Sequence, residues 1–225
     1  MVYKSDPNAI YSHLRKRFGF LDWWPGETKF EIMVGAILTQ QTTWTNVEKA
    51  ISGLKAAKLL SLDKITKTER RSLEKIIRPS GYYRQKAQRL LSICKSIKRE
   101  YGTLDRLFSL DKTELRDALL SYKGIGKETA DSIILYAAEK PIFVIDAYTK
   151  RAMHRINPKI GEDISYGELQ DYFEKRVKRD LVLYQDMHAQ FVELGKNYCR
   201  TRPLCVGCPL NKICQYGSAS IRRKH

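Results

Sequence analysis

Leu119-Leu-Ser-Tyr-Lys-Gly-Ile-Gly-Lys-Glu-Thr-Ala130 sets two glycines between two stretches of helical apolar spacing. Gly124 and Gly126 permit positive φ and a close backbone approach, and the second helix, opening near Lys127, turns its unpaired N–H groups outward. Such a corner is an anion site. A phosphate held by backbone amides at a helix N-terminus, with Lys123 and Lys127 beside it, is gripped without regard to nucleotide sequence. Alone, the same residues also fit an ordinary helix-turn-helix corner with a glycine cap. What favours the first reading is the basic chain around the corner and an acid just downstream of it.

Forty-one Lys and Arg against 25 Asp and Glu give a net charge of +16 over 225 residues, which implies a polyanionic partner, nucleic acid first among them. The first ten residues are polar, and no run approaches the roughly 18 apolar residues that cross a bilayer. The expectation is a prokaryotic, cytoplasmic, DNA-associated monomer with no membrane contact.

The apolar pattern is helical almost throughout, so the expected class is all-α. Phe30, Val34, Ile37 and Leu38 mark one amphipathic stretch, Val47, Ile51 and Leu54 a second, and Leu90, Ile93 and Ile97 a third. Asp111-Lys-Thr-Glu114 resembles a capping box opening a further helix through Leu115, Leu119 and Tyr122. Residues 165–196 read as one or two helices. Pro141-Ile-Phe-Val-Ile145 is either a strand or a buried connector, and Asp146 leaves it at the start of a basic helical stretch. That acid is a helix N-cap, a carboxylate in a partly desolvated cleft, or both.

Four of the five cysteines fall in the last 27 residues, spaced Cys199-x5-Cys205-x2-Cys208-x5-Cys214. Four soft thiolates in one short loop, with Pro203, Gly207 and Pro209 to turn the backbone, are what a cubane iron-sulfur cluster or one structural zinc requires. Zinc ribbons usually use two separated Cys-x2-4-Cys knuckles rather than one central pair with single flanking cysteines, which favours the cluster over zinc. The fifth, Cys94, sits at helical spacing and reads as a buried core thiol.

Gly-Ile-Gly-Lys-Glu-Thr-Ala130, Val-Ile-Asp146 and the four-cysteine loop together resemble the helix-hairpin-helix DNA glycosylases of the endonuclease III type, from roughly Thr28 to Cys214. The resemblance implies a two-domain fold. Residues 26–140 would form a six-helix barrel ending in the hairpin, and residues 1–25 with 141–225 a second domain bearing the cluster loop at 199–214. It further implies a hairpin that grips damaged double-stranded DNA, a catalytic Asp146, and a four-iron, four-sulfur cluster ordering a loop that meets DNA. The substrate nucleotide would flip into a cleft between the two domains. The first cysteine spacer is one residue shorter than the family's usual length. Bifunctional members carry a lysine nucleophile two residues after the second glycine; Glu128 stands there, and a carboxylate forms no Schiff base. A monofunctional hydrolase without lyase activity is therefore expected, with Glu128 a possible helper in the substrate pocket.

Trp23, Trp24 and Trp44 are all the tryptophans in the chain. A similar double-Trp segment, an aromatic at the Trp44 position, the Pro-Ser-Gly-Tyr-Tyr-Arg pattern of residues 79–84 and Glu after Gly-Ile-Gly-Lys resemble a subfamily specific for 3-methyladenine. Stacking on indole faces favours a cationic alkylated purine, although core packing is the plainer role for one or two of these rings. Gln41 matches the family residue that fills the gap left by the extruded base, and Gln40 could exchange roles with it. His188 reads as a hydrogen-bonded structural histidine, and Lys196, Arg200 and Arg202 as phosphate contacts or solvated charges. Glycosylases for oxidised pyrimidines or mismatched bases, and a non-catalytic damage-binding module, are the alternatives.

Overall fold

The computed structural model describes residues 6–21 and 26–222, and every regular element among them is helical. Trp23 and Trp24 lie outside the described residues. The chain divides into two compact units: residues from Gly26 to Lys140, and the described residues up to Leu21 together with those from Pro141 onward.

In the first of these units α2 (Lys29–Leu38) runs through the middle, with eight of its ten residues buried. Around it pack α3 (Trp44–Ala56), α6 (Tyr83–Glu100), α9 (Lys127–Ser132) and a π-helical turn at Ile133–Ala137. Shorter helices α4 (Leu62–Lys67), α5 (Arg70–Ile76) and α7 (Leu104–Ser109) close the flank, the first two against α6. The stripes seen in the sequence are the core: Val34, Val47, Leu54, Leu90 and Ile97 are all fully buried. Helix α8 (Lys112–Ser121) opens on the expected capping box, Asp111 accepting from the amides of Thr113 and Glu114 while Glu114 reaches back to the Asp111 amide.

In the other unit α12 (Leu181–Asn197) is the spine, and α1 (Pro7–Phe18) and α10 (Ala147–Ile156) lie along it. Gly195 lets α10 approach: a Cβ there would run into the ring of Tyr148. Buried Asp186 ties α1 in place, accepting from the Tyr11 hydroxyl and from the Leu21 amide at 2.8 Å, with Arg15 at 3.3 Å. The segment 165–196 resolves into α11 (Tyr166–Glu174) and α12. Residues 141–145 are a buried connector without strand pairing, and Phe143 stacks on Phe173 at 4.2 Å between ring centroids. Helix α13 (Gln215–Arg222) packs on α10.

Candidate functional site

The hairpin occupies residues 122–126 between α8 and α9. Gly124 has φ +97°, a conformation that favours glycine, and Gly126 is the N-cap of α9, offering no side-chain hydrogen bond to its first turn. Lys123 and Lys127 are exposed on either side. The corner is held from beneath by a two-pronged ion pair: Arg116 on α8 donates to both oxygens of fully buried Asp131 on α9, at 2.7 and 3.1 Å. Glu128 is exposed in the first turn of α9.

The two glutamines after α2 separate cleanly. Gln40 is half-buried and turned inward: its amide nitrogen donates to Gly124 O at 2.9 Å and to Thr129 Oγ1 at 3.1 Å, and its oxygen accepts from Arg89 Nη1 at 3.1 Å. Gln41 is exposed, in the left-handed region at φ +54°. Trp44 is half-buried, its ring lying against Gly35 of α2 at 3.4 Å from where a Cβ would sit, its indole N–H donated to Glu48 at 3.0 Å. The outer edge of the six-membered ring is thereby packed and the N–H direction set. Tyr82, 63% exposed at φ +43°, stands at the head of α6. Its prominence was invisible in sequence, where it was one letter of a matched pattern.

In the other unit Asp146 is the N-cap that its sequence allowed, and a largely buried one. It caps α10, its Oδ1 accepting from the Thr149 amide at 2.7 Å, and it is only 9% exposed. Its Oδ2 lies 3.6 Å from Nε2 of buried His188 on α12. Burial pushes the Asp146 carboxyl up, but the facing imidazole and the Thr149 amide outweigh it and hold the group below its ordinary value. His188, read from sequence as structural, is thus the neighbour of the acid; residues 42 apart carry no sequence signal of such a pairing.

All four loop cysteines line one cavity of about 30 Å³, together with Arg155, Tyr198 and Leu204. Among the described residues no group of three or more metal-ligating side chains is gathered tightly enough to hold a metal ion. Burial pushes the Cys208 thiol up to about 11, while the Gly217 amide donates to Cys214 Sγ at 3.3 Å and Arg155 Nη1 reaches Cys199 Sγ at 3.5 Å. Such donors favour the anionic, ligating form of sulfur, although burial still holds the Cys214 thiol above its ordinary value; four thiols on one cavity are the donor set that a thiolate-held metal centre uses. Arg155 also donates to the carbonyls of Arg200 and Thr201, and Arg151 to that of Cys199, which fixes the loop entry on α10. Arg202 is exposed; Arg200, also exposed, donates its Nε to Lys196 O.

Residues 34–179 match the HhH-GPD superfamily of base excision DNA repair proteins. The chain is similar to a candidate DNA repair glycosylase of Methanocaldococcus jannaschii, 45% identical over 95% of this chain and 96% of that one. Among solved structures it is similar to the Helicobacter pylori 3-methyladenine DNA glycosylase bound to 1,N6-ethenoadenine, with 32% identity, TM-score 0.76, and 85% of this chain and 97% of that one covered. A non-covalent endonuclease III–DNA complex matches 99% of this chain and 100% of its own at TM-score 0.84 and 23% identity, a likeness of fold.

Proposed function

The chain belongs to the HhH-GPD superfamily of base excision DNA repair proteins and is a DNA glycosylase; from that premise we propose that it hydrolyses the N-glycosidic bond of alkylated purines such as 3-methyladenine in double-stranded DNA, without cleaving the strand. The observation that carries the hydrolysis is buried Asp146, ionised beside His188. As the C1′–N bond breaks, its electrons pass to the base, and the Asp146 carboxylate stabilises the oxocarbenium-like sugar. The same carboxylate orients the attacking water and takes its proton as the C1′–O bond forms, leaving an abasic site. A cationic alkylpurine departs neutral, so the pocket needs no strong acid, and exposed Glu128 is not asked to be one.

Two features support the alkylpurine reading over oxidised or mismatched bases. One is Trp44, whose half-exposed ring offers an electron-rich face worth about 0.5–2 kcal/mol to a cationic base. The other is the similar 3-methyladenine glycosylase. Gly124, Gly126, Lys123 and Lys127 would hold backbone phosphates, Gln41 and Tyr82 would enter the duplex at the extruded base, and Arg202 would meet phosphate from the cysteine loop. Cys199, Cys205, Cys208 and Cys214 would hold one four-iron, four-sulfur cluster, zinc being the alternative. Its contribution is to order the loop; the hydrolytic step runs on the protein's own groups.

The test is chromatographic detection of free bases released from methylated duplex DNA by wild type and Asp146→Asn. We expect 3-methyladenine from wild type and a loss of about 10²–10⁴-fold in the variant, with DNA affinity retained. Release of thymine or an oxidised pyrimidine from other duplexes, with none from methylated DNA, would transfer the assignment to those lesions. A product trapped by borohydride would show that some lysine restores strand cleavage.

A further inference from the structure

One side chain joins the turn that carries Gln41 to the hairpin. Both N–H donors of the Gln40 amide are taken, by Gly124 O and Thr129 Oγ1, and its oxygen accepts from Arg89 Nη1. Arg89 completes the fastening from α6, because its stem lies directly on the glycine: a Cβ at Gly124 would sit 2.6 Å from Arg89 Cδ. Next along the chain Gln41 is held at φ +54°, which a non-glycine residue keeps only where its surroundings impose it. Three elements far apart in sequence therefore meet on Gln40, the residue immediately before Gln41.

We propose that Gln40, braced by Arg89, is a positioning residue that fixes the distance between the phosphate-holding hairpin and the gap-filling Gln41, so that gripping the backbone places Gln41 at the gap. Gln40 itself touches no DNA. The inference rests on the reading of Gln41 and the hairpin given above. It assigns the half-buried glutamine a task distinct from that of its exposed neighbour. The hairpin does not depend on it for its fold, because Arg116 and Asp131 hold α8 to α9 independently.

The experiment is a double-variant cycle read as preference for a duplex with a tetrahydrofuran abasic site over the same intact duplex. Gln41→Ala is expected to cut that preference about tenfold. Gln40→Leu should cut it by a comparable factor while affinity for intact duplex changes less than about twofold, and the double variant should be no worse than the poorer single one. Arg89→Met, which removes one of the three bonds at a half-exposed position, should give a partial loss in the same direction and serves if Gln40→Leu folds poorly. Losses that multiply in the double variant, or an equal fall in intact-duplex affinity, overturn the positioning role and leave Gln40 a packing residue. If Gln41→Ala is silent, the gap-filling reading falls and the coupling with it; if Gln41→Ala acts and Gln40→Leu does not, only the coupling falls.

Discussion

Asp146 shows what a single residue gains from its surroundings. As a cap alone it would contribute about 0.5–2 kcal/mol to α10; buried against His188 it also stays ionised where burial would otherwise neutralise it. Its folded pKa lies below the unfolded value of about 3.9. Its stabilising contribution is therefore complete above that value and is lost as pH falls through the lower, folded one. For catalysis the same sign holds: the carboxylate must be charged. Replacing His188 with Gln removes the main opposition to burial, so the acid limb of the pH–rate profile should move to higher pH. Single-turnover base release measured across the acid range reads this shift, and an unmoved limb would make His188 a packing residue.

Among the elements, the hairpin and the end of α2 depend on buried charge that periodicity does not announce. Lys86 on α6 is 2% exposed and donates to Leu38 O at 2.8 Å and Ser80 O at 2.7 Å, closing the end of α2 over the short 3-10 turn at Arg78–Ser80. Lys86→Met should lose about 1–3 kcal/mol for each carbonyl orphaned, seen as a lowered urea midpoint. Burial and the nearby Arg89 charge pull the Lys86 ammonium down to about 8, whereas an unfolded lysine stays protonated to about 10.4. Between those values the unfolded chain binds more protons, so the cost of burying this charge is complete below about pH 8 and is relieved as pH rises. Wild type should accordingly gain stability relative to Lys86→Met across that window. Arg116→Leu, which removes the two-pronged partner of the buried Asp131 carboxylate, should be strongly destabilising, by up to about 3–5 kcal/mol, by the same measurement. The helices themselves were legible, since an amphipathic stripe is a local property and Asp111-Lys-Thr-Glu114 is a local motif. Arg116 with Asp131, Gln40 with Gly124 and Asp146 with His188 were not, because each pairing exists only once helices distant in the chain have packed. The glutamines could be told apart only by which one the hairpin had claimed.

For the whole molecule, the charge of +16 makes DNA affinity a counterion-release problem. The logarithm of affinity for intact duplex should fall linearly with the logarithm of salt, and Lys123→Ala and Lys127→Ala should each reduce the slope by about one unit, measured by titration at several ionic strengths. The cysteine loop behaves as a unit of its own. Cys205→Ala should abolish visible absorbance and bound iron and sulfide together; a colourless wild type carrying one zinc would settle the metal the other way. No helix among the described residues is long and apolar enough to cross a membrane; the charge was readable before any coordinates because it is a matter of composition, and the hairpin and cysteine loop because each is compact in sequence.

The π-helical turn at Ile133–Ala137 closes with Ala138 N donating to Ile133 O, five residues back, at 3.0 Å. Such a turn stores one residue more than an α-helix spanning the same length. It is therefore a place in its unit where the chain could shorten by a single codon, the turn tightening to α-helical spacing while the bend and connector that follow keep their facing. Descendants or laboratory libraries that lose a residue from this buried stretch should survive more often than those losing one from α2 or α6, where the same loss turns every residue beyond it by about 100°.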